Sequence, residues 1–530
     1  MDHVVLITGK LHAGAIQTFE SNPKLKIVYR PDCTRDELKQ LVAGCNVLVS
    51  RSETTVDREL IDLAPNLKVI ARAAVGVGNI DLDYATERGI LVINTPGKNT
   101  NSAAELTIGL IVGMLRNLPQ AHQKVKEGGW DRHRFTGAEL RDKVIGIVGL
   151  GNVGHRVAKF AHGFDMKVLA YDPYIAPDVF RRHAVIACES LREMAAQCDI
   201  LSVHVPLNKE TKAMITPEVI AAMKRGSYIV NAARGGLVAE DLLISALNSG
   251  QLAGVAIDTF VDEPEPLREL IHHERVWCSP HIGASTHEAQ IAIGEAIVDQ
   301  VFKAVDGGVV DYPVNLPQIG VINAPILKAY SVLAEKLGSL VGQILSFNPQ
   351  VVEFRYRGDI AKLDNSLLRL SWMKGYANQV VDSYVSFVNV TSHFDNLGIK
   401  IVEIDDPAFA SYKSALKVIV SGPQGKELTV GGIVFDDRYL RISLINDFYF
   451  ELEPVGTMLI VENHDRPGVV GDLGVCLARH GVNISSFTLS RHKAGGVAMA
   501  IVVIDGEVAT EHMAEIQRIK NVVSVRQVTL

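Results

Sequence analysis

The sequence predicts an α/β protein of several domains that turns α+β in its C-terminal part, and three observations carry that reading. From residue 3 onward, short apolar runs alternate with helical stretches. A strand-like run enters a glycine-rich turn and then a helix in "KVIGIVGLGNVGHRVA", residues 143–158. Residues 456–530 read strand, helix, strand, strand, helix, strand, which is a ferredoxin-like order. At 530 residues the chain exceeds what one core supports, and about 100–200 residues per domain gives three or four domains.

The first strands are "VVLIT", "IVYR", "VLVS", "LKVIARAAV" and "LVINTPG". A helix follows in "NSAAELTIGLIVGMLRNL", where Ser102 is placed to cap and Glu105, three positions on, to complete a capping box. Beyond the glycine-rich turn come "KVLAYDP", "ILSVHVP", "SYIVNAARG", "GVAIDTF" and "VWCSPHIG", the strands of a second, parallel sheet. Residues 285–307 form one amphipathic helix, after which the Gly/Pro-rich text "GGVVDYPVNLPQIGVINAP" ends the periodic pattern and sets a boundary near residue 315. Residues 316–452 are α+β in character.

Composition narrows the function. The chain is 47% hydrophobic and 21% charged, as folded proteins are, and its net charge of −7 comes without the polybasic run that a nucleic-acid binder needs. Six cysteines (Cys33, Cys45, Cys188, Cys198, Cys278, Cys476) contain no CxxC pair, so neither a zinc site nor a disulfide framework is expected, and no metal. Reduced thiols, an acidic N-terminus and no apolar run of about 18 residues point to a cytoplasmic protein that avoids membranes and works on small molecules.

Gly149, Gly151 and Gly154 have the GxGxxG spacing between a strand and a helix. A tight turn, close approach of backbone to a pyrophosphate, and close strand-to-helix packing each exclude a Cβ, while the helix N-terminus offers free N–H groups to phosphate. "KVLAYD" ends in Asp172, where a carboxylate binds ribose hydroxyls and repels a 2′-phosphate, favouring NAD over NADP.

Three segments at or just after strand ends are chemically loaded: "NAARGG" with Arg234, "DTFVDEPEP" with Glu263 and "SPHIGAST" with His281. Their order and local contexts resemble the signature of the D-isomer-specific 2-hydroxyacid dehydrogenases over residues 50–315. Oxidising a secondary alcohol beside a carboxylate needs a base, a role that histidine as a residue type suits, and His281 is the candidate. Glu263 would fix its tautomer and steady the imidazolium, and Arg234 would clamp the carboxylate and polarise the C2 oxygen. The resemblance extends the cofactor contacts to Asn152, Val153, Ala233 and Asp258, and the substrate contacts to Val75 and Gly76. It implies a Rossmann-type NAD domain (101–284) inserted in a flavodoxin-like substrate domain (1–100 and 285–315). "NSAAE" and "GASTHEAQ" then act as hinges over the cleft between them.

Arg51, Arg72, Arg132 and Arg134 are similar to the phosphate-binding positions of the D-3-phosphoglycerate dehydrogenases, with Arg132 reaching in from another subunit. Ala74 and Gly78 depart from that pattern, which usually has Gly and Asp there. "VENHDRPGVVGDLGVCLARHGVNISSF" resembles an ACT domain (456–530), in which Asn463, Asp465 and Asn483 match serine-binding positions. Residues 316–452, through "YRGDIA" at 356–361 and text at 321–325, resemble the intervening domain of the long-form enzymes. The resemblance as a whole implies NAD-dependent oxidation of 3-phosphoglycerate in L-serine biosynthesis by a homodimer or homotetramer that serine inhibits. A glyoxylate/hydroxypyruvate reductase is the alternative on the same core. A NAD-sensing corepressor is a further one, disfavoured because all three catalytic residues are present.

Overall fold

The structure, a computed structural model, describes residues 3–306, 310–316, 325–405 and 412–530. The text at 321–324 and much of the Gly/Pro-rich boundary therefore lie outside the described residues. Five parallel strands, His3–Ile7, Leu25–Tyr29, Val47–Ser50, Val69–Arg72 and Leu91–Ile93, form the first sheet, with the second strand at one edge beside the first. That order is flavodoxin-like.

The second sheet is all parallel and centres on Val144–Val148. Lys167–Tyr171 and Ile186–Ala187 lie on one side of it. Ile200–Val203, Ser227–Asn231, Leu252–Ile257 and Val276–Cys278 extend the other side. Strand order reverses at Val144–Val148, and such switch points are where open α/β sheets bind ligands.

Two helices carry the chain between these sheets. Thr100–Leu115 buries Ala104, Ile108 and Ile111 against Ile145, Ile147 and Ala256 of the second sheet. His287–Val305 returns and buries Ile293, Ile297 and Val301 against Val5, Ile7 and Val47 of the first. The second sheet is thus an insertion, which is why 140-odd residues precede the glycine-rich turn. Thr286 caps the return helix by accepting from the Ala289 amide. The expected capping box at Ser102 is absent. The crossover helix starts at Thr100, and Ser102 is buried inside it, donating to the carbonyls of Asn99 (3.0 Å) and Gly283 (2.8 Å). A tertiary bond to the return segment takes the hydroxyl that the local sequence offers to a cap.

The next unit is a six-stranded sheet, Lys400–Asp405, Val351–Arg357, Ala415–Ser421, Glu427–Phe435, Tyr439–Ile445 and Phe448–Leu452 in spatial order, with only the first pair parallel. Helices Pro325–Ile344 and Ser366–Val380 pack tightly together, because a Cβ on Gly338 would sit 2.0 Å from the Trp372 carbonyl oxygen. Ser386 donates to the Gly89 carbonyl (2.8 Å) and ties this unit to the first.

The last sheet is antiparallel in the order Ile484–Arg491, Val497–Ile504, Thr457–His464, Val522–Thr529. Its strands alternate by face: Leu459, Val461 and Val502 pack under helices Val469–Arg479 and Thr510–Gln517, while Met458, Ile460 and Ile501 join the preceding unit's core. No helix among the described residues is long and apolar enough to cross a membrane.

Candidate active site

Each glycine of the turn has a separate reason to lack a side chain. Gly149 has φ +88° and lies against Val205 and the His204 carbonyl, so a Cβ would come within 2.6 Å of the valine. A Cβ on Gly154 would meet the Gly149 oxygen at 2.0 Å, which fixes the helix against the turn. Gly151 faces open space, as a position that a pyrophosphate approaches must. It is the N-cap of helix Asn152–His162 without any side-chain cap, leaving the amides at Asn152 and Val153 free for an anion.

Asp172 follows strand Lys167–Tyr171. Its carboxylate accepts from the Leu150 amide (2.9 Å) and the Tyr174 amide (3.0 Å), and is thereby held beside the glycine turn. Beside the turn, burial pushes His204 down to about 4, so this ring, bonded to Ser202 Oγ, stays neutral.

The hydride-transfer residues sit where strands end. His281 Nδ1 lies 2.7 Å from Glu263 Oε2, and Glu263 Oε1 accepts from the Phe260 amide (2.9 Å). His281 has φ +52°, unusual for a side chain with a Cβ. Its amide donates to the carbonyls of Asp258 (2.9 Å) and Ser279 (3.0 Å), so the loop and the Glu263 pair together hold a conformation that an isolated loop would abandon.

Asp258 is fully buried, and its carboxylate accepts from Ser279 Oγ (2.6 Å) and the amides of Ile282 and Gly283 (both 2.9 Å). It braces the histidine loop from below. Arg234 follows Ser227–Asn231 and Ala233, and Asn231 clasps it, accepting from the Ala233 and Arg234 amides and donating to the Arg234 carbonyl (2.8 Å). Its guanidinium reaches the first unit: a Cβ on Gly76 would lie 2.8 Å from Nη2. Burial lowers its pKa, with Glu263 opposing.

In the first unit the Val75 carbonyl accepts from Asn94 (2.8 Å). Gly78 faces open space without positive φ, so the aspartate usual there would fit. Ala74 lies in the loop entering it, where its carbonyl accepts from the Thr95 amide. Arg51 Nη1 donates to the Lys10 carbonyl (2.8 Å) and to Gln290, and lies across Gly9, where a Cβ would fall 2.4 Å from its Cγ.

Arg72 is wholly buried and donates to the Thr54 carbonyl (3.3 Å) and Asn79. Burial drives it down to about 10, with Glu53 opposing and the nearby Arg51 adding to the fall, so it remains cationic at neutral pH. Four buried polar atoms here have no hydrogen-bond partner among the described residues: Ser50 Oγ, Arg51 Nε, and Arg72 Nε and Nη1. Such groups are rare and call for an explanation. Arg132 and Arg134 are not drawn in. Both are exposed, Arg134 lines a separate groove with Gln120, Lys124 and Trp277, and no hydrogen bond or ion pair among the described residues links either to Arg51 or Arg234.

Sequence reasoning missed Asn79, Asn231, Gln290 and Gly9. Gln290 acts on Arg51 across 239 positions and Gly9 lies against the same side chain, contacts that only the fold creates. Asn79 and Asn231 act within seven and three positions on Arg72 and Arg234, where residue type alone does not mark an Asn as a clasp.

Comparison with known proteins bears on this geometry. The family model for the NAD binding domain of D-isomer specific 2-hydroxyacid dehydrogenases matches residues 108–283. Models for the D-3-phosphoglycerate dehydrogenase intervening domain and the ACT domain match 326–446 and 457–521. A D-3-phosphoglycerate dehydrogenase from Methanocaldococcus jannaschii is 36% identical over 99% of both chains. The chain belongs to the D-3-phosphoglycerate dehydrogenase family.

A Bacillus subtilis relative of the same name is 34% identical over 99% of both chains. Two similar solved structures each cover about three fifths of this chain. D-lactate dehydrogenase from Aquifex aeolicus, complexed with NAD and lactic acid, is 28% identical with TM-score 0.52, covering 60% of this chain and all of its own. A glyoxylate reductase from Paecilomyes thermophila is 29% identical with TM-score 0.54, covering 59% and 98%. This family member is an oxidoreductase that uses NAD, and the turn, the open helix N-terminus and Asp172 fit that cofactor.

Proposed function

We infer that the protein oxidises 3-phosphoglycerate to 3-phosphohydroxypyruvate, the step that opens the phosphorylated route to L-serine. The observation that carries this reading is the set of unpartnered buried donors of Arg51 and Arg72, an anion-sized demand at the ends of the first unit's strands. The core alone does not choose a substrate, since it is shared with proteins named for glyoxylate and lactate. Full-length relatives named for 3-phosphoglycerate support the same choice.

Gly149, Gly151, Asn152, Val153 and Gly154 hold the pyrophosphate of NAD and Asp172 its ribose, with Ala233 and Asp258 completing the contacts. Bound NAD supplies the hydride acceptor. His281 Nε2 takes the substrate hydroxyl proton, while Nδ1–H donates to Glu263, which stabilises the imidazolium. Arg234, with Val75 and Gly76, holds the carboxylate and polarises the C2 oxygen. Arg51, Arg72 and Arg134 take the phosphate, and Arg132 completes the site from a neighbouring subunit of a homodimer or homotetramer.

The chain divides as 1–100 with 285–315, 101–284, 316–452 and 456–530; separate buried clusters in the first two units favour this reading, while the last two units share one core through Met458, Ile460 and Ile501. The enzyme is cytoplasmic, and L-serine at Asn463, Asp465 and Asn483 inhibits it. The test is NADH formation from 3-phosphoglycerate, set against glyoxylate reduction. Turnover of glyoxylate with none of 3-phosphoglycerate would assign the chain to the reductase class.

A further inference from the structure

The catalytic reading leaves unused a cluster at the far end of the last unit. Cys476 and His480 stand one helical turn apart on and just beyond Val469–Arg479, so their side chains share a face. Glu515 comes from the neighbouring helix Thr510–Gln517, anchored on that side by buried Ile516. One ligand atom from each residue, the thiol sulfur, an imidazole nitrogen and a carboxylate oxygen, lies within 4.8 Å of the other two. His480 Nε2 is 2.9 Å from Glu515 Oε2. The His512 ring stacks on His480 with centroids 3.6 Å apart, and its buried Nδ1 has no partner among the described residues.

We propose that Cys476, His480 and Glu515 form a binding site for a thiophilic divalent cation of the zinc class, joining the two helices of this unit. The donor set is decisive about class. Thiolate with imidazole and a single carboxylate suits zinc or cobalt, whereas calcium and magnesium require oxygen-rich shells. Metal–ligand lengths of about 2.0–2.3 Å put tetrahedral ligand atoms roughly 3.5 Å apart, so the cluster closes by about an ångström of side-chain movement. Binding replaces the His480–Glu515 hydrogen bond and releases the thiol proton. A fourth position remains for solvent or an anion, walled on one side by His512. CxxC spacing could not reveal this site, because its ligands come from two helices that meet only in the fold. The cation would fix the C-terminal end of the helix that follows the loop carrying Asp465.

The test titrates the reduced full-length protein with Co²⁺ alone and then with Zn²⁺. One Co²⁺ per chain should bind with a thiolate-to-cobalt charge-transfer band that Zn²⁺ abolishes, and Cys476→Ser should lack the band. Glu515 is exposed, so Glu515→Gln should keep the wild-type melting temperature. It should weaken Co²⁺ binding beyond the about tenfold minimum expected for loss of an outer-shell partner. The proposal fails if the wild type shows no thiolate band, if the band persists in Cys476→Ser, which retains five other cysteines, or if Glu515→Gln binds as tightly as wild type.

Discussion

The cleft and the turn of the last unit both contain residues that sequence patterns mark for ligands, yet their hydrogen bonding is opposite. In the cleft, among the described residues, Arg51 and Arg72 keep buried donors without partners, and Arg234 has no carboxylate paired to it by a hydrogen bond. In the last unit, Asn463 at the end of strand Thr457–His464, Asp465 just after it and Asn483 just before strand Ile484–Arg491 each already hold a partner. Asp465 accepts from the Gly495 amide (3.1 Å) and Arg491 (2.7 Å), which hold its pKa below the ordinary carboxylate value. Asn483 donates to Asp505 (2.7 Å), and buried Asn463 donates to the His464 carbonyl (3.1 Å). An anion entering the cleft satisfies groups that are costly to leave bare, whereas an effector at the turn must first break bonds. Substrate binding is therefore built in, and effector binding is conditional on rearrangement.

The largest expected effect breaks the chemistry while leaving that contrast intact. His281→Asn should lower kcat by about 10²- to 10⁴-fold with NAD affinity retained, measured by steady-state kinetics beside calorimetry of cofactor binding. Next, Arg51→Ala should raise KM for the phosphorylated substrate by roughly 10- to 100-fold, the value of a charge-assisted hydrogen bond. Reduction of an unphosphorylated 2-oxo acid should change little, and equal losses on both would make Arg51 a fold residue. Gly9→Ala sharpens this point: its new Cβ displaces the Arg51 stem and should shift KM the same way without removing the charge.

Asp172→Ala should erode the preference for NAD over NADP, read as the ratio of kcat/KM for the two cofactors. The smallest effect belongs to the turn. Serine should inhibit with a coupling of about 1–3 kcal/mol, and Asp465→Ala or Asn483→Ala should relieve it with basal activity unchanged. Calorimetry showing no serine binding to wild type would leave the turn a structural element.

What was legible in the sequence follows from where each constraint lies. The glycine turn, its strand and its helix are local, so GxGxxG with Asp172 could be read directly, and period-2 and parallel-strand runs gave the sheets. His281, Glu263 and Arg234 were legible by residue type at strand ends. Ser102 was misread as a cap because its hydroxyl serves Gly283, 181 positions away. The pairing of Asp465 with Arg491 and of Asn483 with Asp505 was hidden for the same reason: sequence marks the polar residue but not what faces it.

The central claim is that the unpartnered arginine donors select a phosphorylated 2-hydroxy acid. Its most direct test is kcat/KM for 3-phosphohydroxypyruvate relative to glyoxylate, measured with NADH in wild type and in Arg51→Ala. The account predicts a strong preference for the phosphorylated compound in wild type and a collapse of that preference in the variant, driven by KM. A wild type that prefers glyoxylate, or a preference that survives the substitution unchanged, would contradict it.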